Sequence, residues 1–255
     1  MKMIYLVIGI VLIGGFFFYL TACKTKNSSN TVIQEISKKD TSKVTPPQQF
    51  VDLLFAQQTI KEVNQIASGQ KVEPNTVWAK YQSVEKFVND NKKSEAIKLL
   101  YDIASSDKLE SRNILWAWNG LRELGEVPKR PIVLGLILEV PQQNAIEYLA
   151  MYSDKSARYI NYTGKVGVWD THEVNMDKLI ADIITKSQDY FNNEKLKTGR
   201  NKLTSDKVRF SFLTIAGIYQ VEKTFDELTS QKSSIGEIFM TATQVLNEIV
   251  TKMTK

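Results

Sequence analysis

Ile132-Val133-Leu134-Gly135-Leu136-Ile137-Leu138-Glu139-Val140, directly behind Pro131, is an apolar run carrying one charge. Upstream of it apolar residues recur at helical spacing; from here on the recurrence is strand-like. Ile146 to Tyr152 follows a polar turn, and Ala157 to Tyr162 and Val166 to Trp169 are β-branched and aromatic runs. The links Asp154-Lys155 and Gly164-Lys165 are short, which implies antiparallel neighbours.

Beyond this meander, Val174, Leu179, Ile180, Ile183 and Ile184 line one side of a helix, with Asp170 and Glu173 in capping-box positions before it. Val208 to Ile215 alternates again, Gly217 breaks it, and Ile218 to Val221 reads as a further strand. The last helix has a capping box in Ser234 and Glu237 and an unbroken stripe of Ile235, Ile238, Phe239, Ala242, Leu246, Ile249 and Met253. The expectation is an α+β fold: N-terminal short helices, then an antiparallel sheet of a meander plus one or two later strands, with helices packed on one face.

Between Gln48 and Gly125 the pattern is helical in four pieces. Phe50, Leu53, Leu54, Ile60 and Val63 mark the first; Val77, Tyr81, Val84 and Val88 the second; Ala96, Ile97, Leu100, Ile103 and Ala104 the third. The fourth opens on Asp107 and Glu110 in capping-box spacing, runs through Ile114, Leu115, Trp118 and Leu121, and stops at Gly125 before Pro128. Short, half-apolar helices must pack on one another or on the sheet. Asn75-Thr76-Val77-Trp78-Ala79 and Asn113-Ile114-Leu115-Trp116-Ala117 look alike, but one recurrence does not make a solenoid. The expected organisation is a helical region at 48–126 and an α+β domain at 127–255, or one continuous domain at 48–255.

The chain begins differently. Ile4 to Ala22 carries no charge behind a lone Lys2, which reads as an export signal. Leu20-Thr21-Ala22-Cys23 resembles the lipobox of bacterial lipoproteins. The resemblance implies that the Cys23 thiol takes a diacylglyceryl group, that the lipoprotein signal peptidase removes residues 1–22, and that membrane lipid is the partner held through Cys23. Lys24 stands where enterobacterial lipoproteins retained in the inner membrane carry aspartate, so the resemblance favours an outer-membrane protein facing the periplasm. The alternative is an uncleaved single-span anchor, because about 20 apolar residues also cross the hydrocarbon core. Cys23 is the only cysteine, so no internal disulfide forms.

Residues 23–47, rich in Ser, Thr, Asn and Lys and ending in Pro46-Pro47, read as a flexible tether, reaching roughly 25 to 30 Å. Of the net charge of +5, Lys2 carries one and the stretch Lys24 to Lys43 three, leaving +1 for everything after residue 47. A nearly neutral folded part argues against nucleic acid as a partner, while the basic tether suits anionic headgroups.

Trp116-Ala117-Trp118-Asn119-Gly120-Leu121-Arg122-Glu123-Leu124-Gly125, Arg158 to Gly164, Val168-Trp169-Asp170 and Val208 to Ile215 are similar to a widespread family of uncharacterised bacterial proteins. This resemblance spans roughly residues 95 to 253 and implies domain limits, with no activity attached.

Chemistry has few places to reside. His172 is the only histidine, which excludes a multi-histidine metal site, and no Gly-x-Ser-x-Gly elbow accompanies it. Asp170, Glu173 and Asp177 lie near one another, but the first two hold capping positions and no EF-hand spacing is present, so no metal is expected. Walker and Gly-x-Gly-x-x-Gly motifs are missing, so no cofactor is expected. The densest polar and aromatic group is Arg158, Tyr159, Asn161 and Tyr162 with Trp169, a candidate ligand surface on the sheet. The leading expectation is a lipid-anchored, non-enzymatic binding or structural module of the cell envelope. Its alternatives are an envelope hydrolase using carboxylate, Tyr or Arg side chains, and an assembly or immunity factor with a specific envelope protein partner.

Overall fold

The apolar run becomes the middle strand of a sheet. The computed structural model of the protein describes residues 48–68, 72–142, 145–200, 203, 206–230 and 233–253; the leader, Cys23 and the tether lie outside them. Among the described residues the strands are β1 (Val133–Pro141), β2 (Ile146–Tyr152), β3 (Ala157–Ile160), β4 (Val166–Trp169), β5 (Lys197–Thr198), β6 (Val208–Thr214) and β7 (Gly217–Lys223). They form one antiparallel sheet in the order β4-β3-β2-β1-β6-β7-β5. The fold is α+β, with the N-terminal helices ahead of the sheet.

Strand alternation sorts β1 into two faces. Gly135, Ile137 and Glu139 share one with Tyr152, Ala150 and Tyr148 of β2 and with Leu213, Ser211 and Arg209 of β6. Leu136 and Leu138 share the other with Met151, Leu149, Phe212 and Phe210. Both sides need cover, and each receives helices.

The second face takes two long helices, α6 (Val174–Asn193) and α8 (Ser234–Met253). Tyr190 of α6 stacks on Phe212 at 5.7 Å between centroids, and Phe239 of α8 meets Phe210 edge-on at 6.4 Å. At Gly167 of β4 a Cβ would stand 2.6 Å from the Met253 sulfur and 2.7 Å from Ile249 Cγ2, so only glycine lets α8 lie this close. These two helices share one face, as the sequence predicts.

The first face is covered by α1 (Gln48–Phe55), α2 (Ile60–Ser68), α3 (Val77–Asn89), α4 (Lys93–Ala104) and α5 (Ser111–Glu123). Their apolar residues form one core with Ile137, Tyr148, Ala150, Tyr152, Ile160, Leu213 and Ile218 of the sheet. The described residues therefore form three layers where the periodicity alone indicated two. Four helical pieces become five because the first breaks at Ala56, which turns at φ 47°. The short helix α7 (Phe225–Thr229) leads into α8.

Helix starts depart from the sequence expectation in an instructive way. Asp107–Glu110 and Asp170–Glu173 form no capping box: α5 and α6 begin after Glu110 and Glu173, neither of which makes a side-chain cap bond. At α5 the work is done across the chain, where Asp154 Oδ2, in the β2–β3 turn, accepts the Ser111 N–H at 2.6 Å. Ser234 is already inside α8, and Ser233 Oγ accepts the Gly236 N–H instead. Capping boxes do form at Thr59–Glu62 before α2 and at Thr224–Glu227 before α7.

Asn75-Thr76 and Asn113-Ile114 also part company. Thr76 is the N-cap of α3, whereas Asn113 lies within α5, so the similar pentapeptides occupy different helix positions. No described helix is long and apolar enough to cross a membrane.

Candidate functional site

The five residues of the candidate surface do not converge. Strand β3 ends at Ile160, because Asn161 Oδ1 accepts the N–H groups of Thr163 and Lys165 and closes a turn. Strand alternation therefore does not extend to Asn161 and Tyr162; Asn161 is engaged in the turn and Tyr162 is exposed within it. Arg158 lies on the face of the N-terminal helices and donates to the Ala157 and Trp169 carbonyls, both at 2.9 Å. Tyr159 and Trp169 are buried on the opposite face. The Lys252 ammonium sits 4.1 Å from the Trp169 ring centroid and pairs with Glu173. Cys23 lies outside the described residues.

Tyr159 has one partner of chemical interest. Its hydroxyl is bonded to the Glu147 carboxylate, which also takes the Tyr162 backbone N–H and the Gln142 amide. Burial pushes Glu147 above the usual carboxylate range, opposed by these donors, and burial together with Glu147 pushes Tyr159 up. The pair holds the β2–β3 end together with its proton on the phenol.

A larger ionic cluster, absent from the sequence expectation, lies on the helical-region face. Arg209 donates to Glu222 Oε1 from Nη2 at 2.6 Å and from Nε at 3.0 Å, and its Nη1 stands 3.7 Å from Glu139 Oε1. Ser211 donates to the same Glu139 oxygen at 3.3 Å and accepts from Gln220 at 2.8 Å. Nearby, Arg200 pairs with Asp52 at 2.8 Å and covers the Phe55 ring at 3.9 Å. Glu139 and Arg209 side chains are 3% and 2% exposed. Burial raises the Glu139 carboxyl, and Arg209, Arg200 and the Ser211 hydroxyl pull it back. Charges this deep are retained only when paired. The cluster ties β1, β6 and β7 together, and α1 to the segment after β5. Its sequence signal was a lone charge inside an apolar run, Glu139 in one strand and Arg209 in another.

The Trp116–Gly125 motif is likewise structural. Trp116 Nε1 donates to Gln58 Oε1 at 2.7 Å, Asn119 donates to the Gln58 carbonyl at 3.1 Å, and Arg122 donates to the Ile215 carbonyl at the β6–β7 turn. A Cβ at Gly120 would stand 3.0 Å from Ile60 and 3.1 Å from Leu100, so this position sets how closely α5 meets α2 and α4. His172 is exposed, with Nδ1 3.4 Å from Asp177 Oδ2, which Lys155 also approaches at 3.6 Å.

Comparison of the chain with protein-family models, curated proteins and solved structures finds no match. The two resemblances rest on the residues that carry them.

Proposed function

We propose that this chain is a lipid-anchored protein of the bacterial cell envelope whose folded part binds a partner or ligand without transforming it. The observation that carries this reading is Leu20-Thr21-Ala22-Cys23 at the end of the uncharged stretch Ile4 to Ala22, followed by a polar, basic tether. Lipid on Cys23 would suffice to hold the protein on a bilayer, each buried methylene contributing about 0.8 kcal/mol. The polar clusters of the folded part support the second half of the reading. Glu139, Arg209 and Ser211 are bonded to one another inside the domain, as are Glu147 and Tyr159.

The test is metabolic labelling with palmitate in a bacterial host, with intact-mass measurement of the mature protein. The wild type is expected to begin at Cys23 and to carry label, and Cys23→Ser to lose both. A Cys23→Ser protein that is still processed and membrane-bound without label overturns the anchor. A panel of hydrolase substrates tests the other half: turnover abolished by one carboxylate or His172 substitution makes the protein an enzyme.

A further inference from the structure

Among the described residues the sheet ends on β5 and on β4, and the two edges differ. Strand β5 is two residues long and opens on Lys197, which blunts it against further pairing. Strand β4 reads Val166-Gly167-Val168-Trp169, with no charge and no proline. The direction of its hydrogen bonds follows from the turn before it. The Asn161 N–H bonds to the Lys165 carbonyl at 3.0 Å, so these two are a bonded pair and the pairs beyond them alternate. Gly167 opposite Tyr159 and Trp169 opposite Ala157 therefore spend their backbone groups on β3. Those of Val166 and Val168, opposite Ile160 and Arg158, point away from the sheet, and no described residue bonds to them.

Both sides of this edge are apolar. On the first face Val166 and Val168 are 49% and 56% exposed. On the second face α8 crosses the strands: Phe239 meets Phe210 of β6, and Ile249 and Met253 lie against Gly167 of β4. Those strands are four places apart, about 19 Å at 4.8 Å each, and ten residues of helix rise about 15 Å. The last turn of α8 thus ends at the β4 edge, where Val250 and Met253 are exposed. The edge is also polarised. Lys165 stands before it and Asp170 after it, both exposed and neither in an ion pair with a described residue.

We infer that the β4 edge accepts an extended segment of another protein as the next strand. That segment runs antiparallel to β4, is β-branched and apolar at its centre, and carries a basic residue at its start, beside Asp170, and an acidic one at its end, beside Lys165. Main-chain bonds to Val166 and Val168 hold it, and the flanking charges set its direction. A second copy of this chain fits less well. Pairing edge to edge would bring a second α8 end onto the same spot, and a four-residue edge offers less than the roughly 1,200 Å² that a stable interface buries. This inference gives a partner class to the binding module proposed above, on which it rests, and is independent of the lipid anchor.

The experiment titrates the full chain with the peptide acetyl-Lys-Thr-Val-Ile-Val-Glu-amide and follows amide exchange along β4. Saturable binding tighter than about 1 mM is expected. Exchange should slow at Val166 and Val168 and stay unchanged at Gly167, whose N–H is already bonded to β3. The peptide with its terminal Lys and Glu exchanged should bind about three- to tenfold more weakly. Lys165→Glu with Asp170→Lys, altered only at exposed positions, should reverse that preference. Val168→Pro removes one outward donor and no bond to β3, so it should abolish binding with little change in the thermal midpoint; if it fails to fold, the charge-reversed variant decides. No saturable binding, binding without protection of Val166 and Val168, or a preference that the reversal leaves in place overturns the proposal. Protection of these two amides that grows with protein concentration in the absence of peptide assigns the edge to a second copy and overturns it too. Palmitate on Cys23 and turnover of hydrolase substrates are read separately, so failure here and failure of the proposed function are distinguishable.

Discussion

The two faces of the sheet are built by different means. Beneath α6 and α8 the contact is aromatic and aliphatic, Tyr190 on Phe212 and Phe239 on Phe210, and two long amphipathic helices supply it. Beneath the five short helices, apolar packing is interleaved with directed polar contacts. Tyr152 donates its hydroxyl to the Leu54 carbonyl at 2.7 Å, Tyr81 to that of Asn113 at 2.6 Å, and Arg209 bridges Glu139 and Glu222. A long stripe finds its place mostly by area, with the Gln188 side-chain oxygen accepting the Val133 N–H at 2.8 Å as a directed tie to β1. Short helices bury too little to be positioned that way, and buried hydrogen bonds fix where each one sits.

The sharpest way to break this contrast is one substitution on each face. Phe212→Ala should destabilise the protein by about 3 to 5 kcal/mol through cavity formation. Arg209→Ala should reach a similar 3 to 5 kcal/mol by taking from the buried Glu139 its nearest guanidinium. Urea unfolding at two pH values separates them. The Arg209 loss should shrink as pH falls and Glu139 takes a proton, and the Phe212 loss should not move. Equal pH responses would erase the distinction between the faces.

A smaller effect tests the cap supplied across the chain. Asp154→Ala should cost about 1 kcal/mol and raise amide exchange at the first turn of α5. Unchanged exchange at Ser111 would show that Asp154 does not hold that helix.

The smallest concerns Glu147. Burial raises its folded-state pKa above the unfolded value, so the folded protein binds the proton more tightly and loses stability as pH rises through that window. Glu147→Gln removes the penalty and keeps an acceptor for Tyr159. Between pH 4.5 and 7 the variant should therefore gain on the wild type by at most about 1 kcal/mol, read as the difference in unfolding midpoints.

Much of the sheet was legible because strand residues announce themselves locally. Ile146 to Tyr152 and Val166 to Trp169 coincide with β2 and β4, and Ile218 to Val221 lies within β7. The stripe on α8 was equally plain. The third layer was not, because what places α1 to α5 is contact between distant residues such as Asp154 with Ser111 and Gln58 with Trp116. The extent of β3 differed for a local reason: an Asx turn at Asn161 ends the strand two residues before Tyr162, so alternation does not place Asn161 and Tyr162.

The sheet's centre is a seam between β1 and β6, joined in antiparallel register although a whole meander and α6 lie between them in the chain. Until Val208–Thr214 has emerged from the ribosome, β1 offers an apolar strand with one edge unpaired, a template for pairing with other chains. Closing so distant a pair is intrinsically slow. A cell making this protein must therefore shield an adhesive half-sheet while the chain between β1 and β6 is being made, and a truncation just short of β6 should aggregate instead of yielding a smaller folded unit.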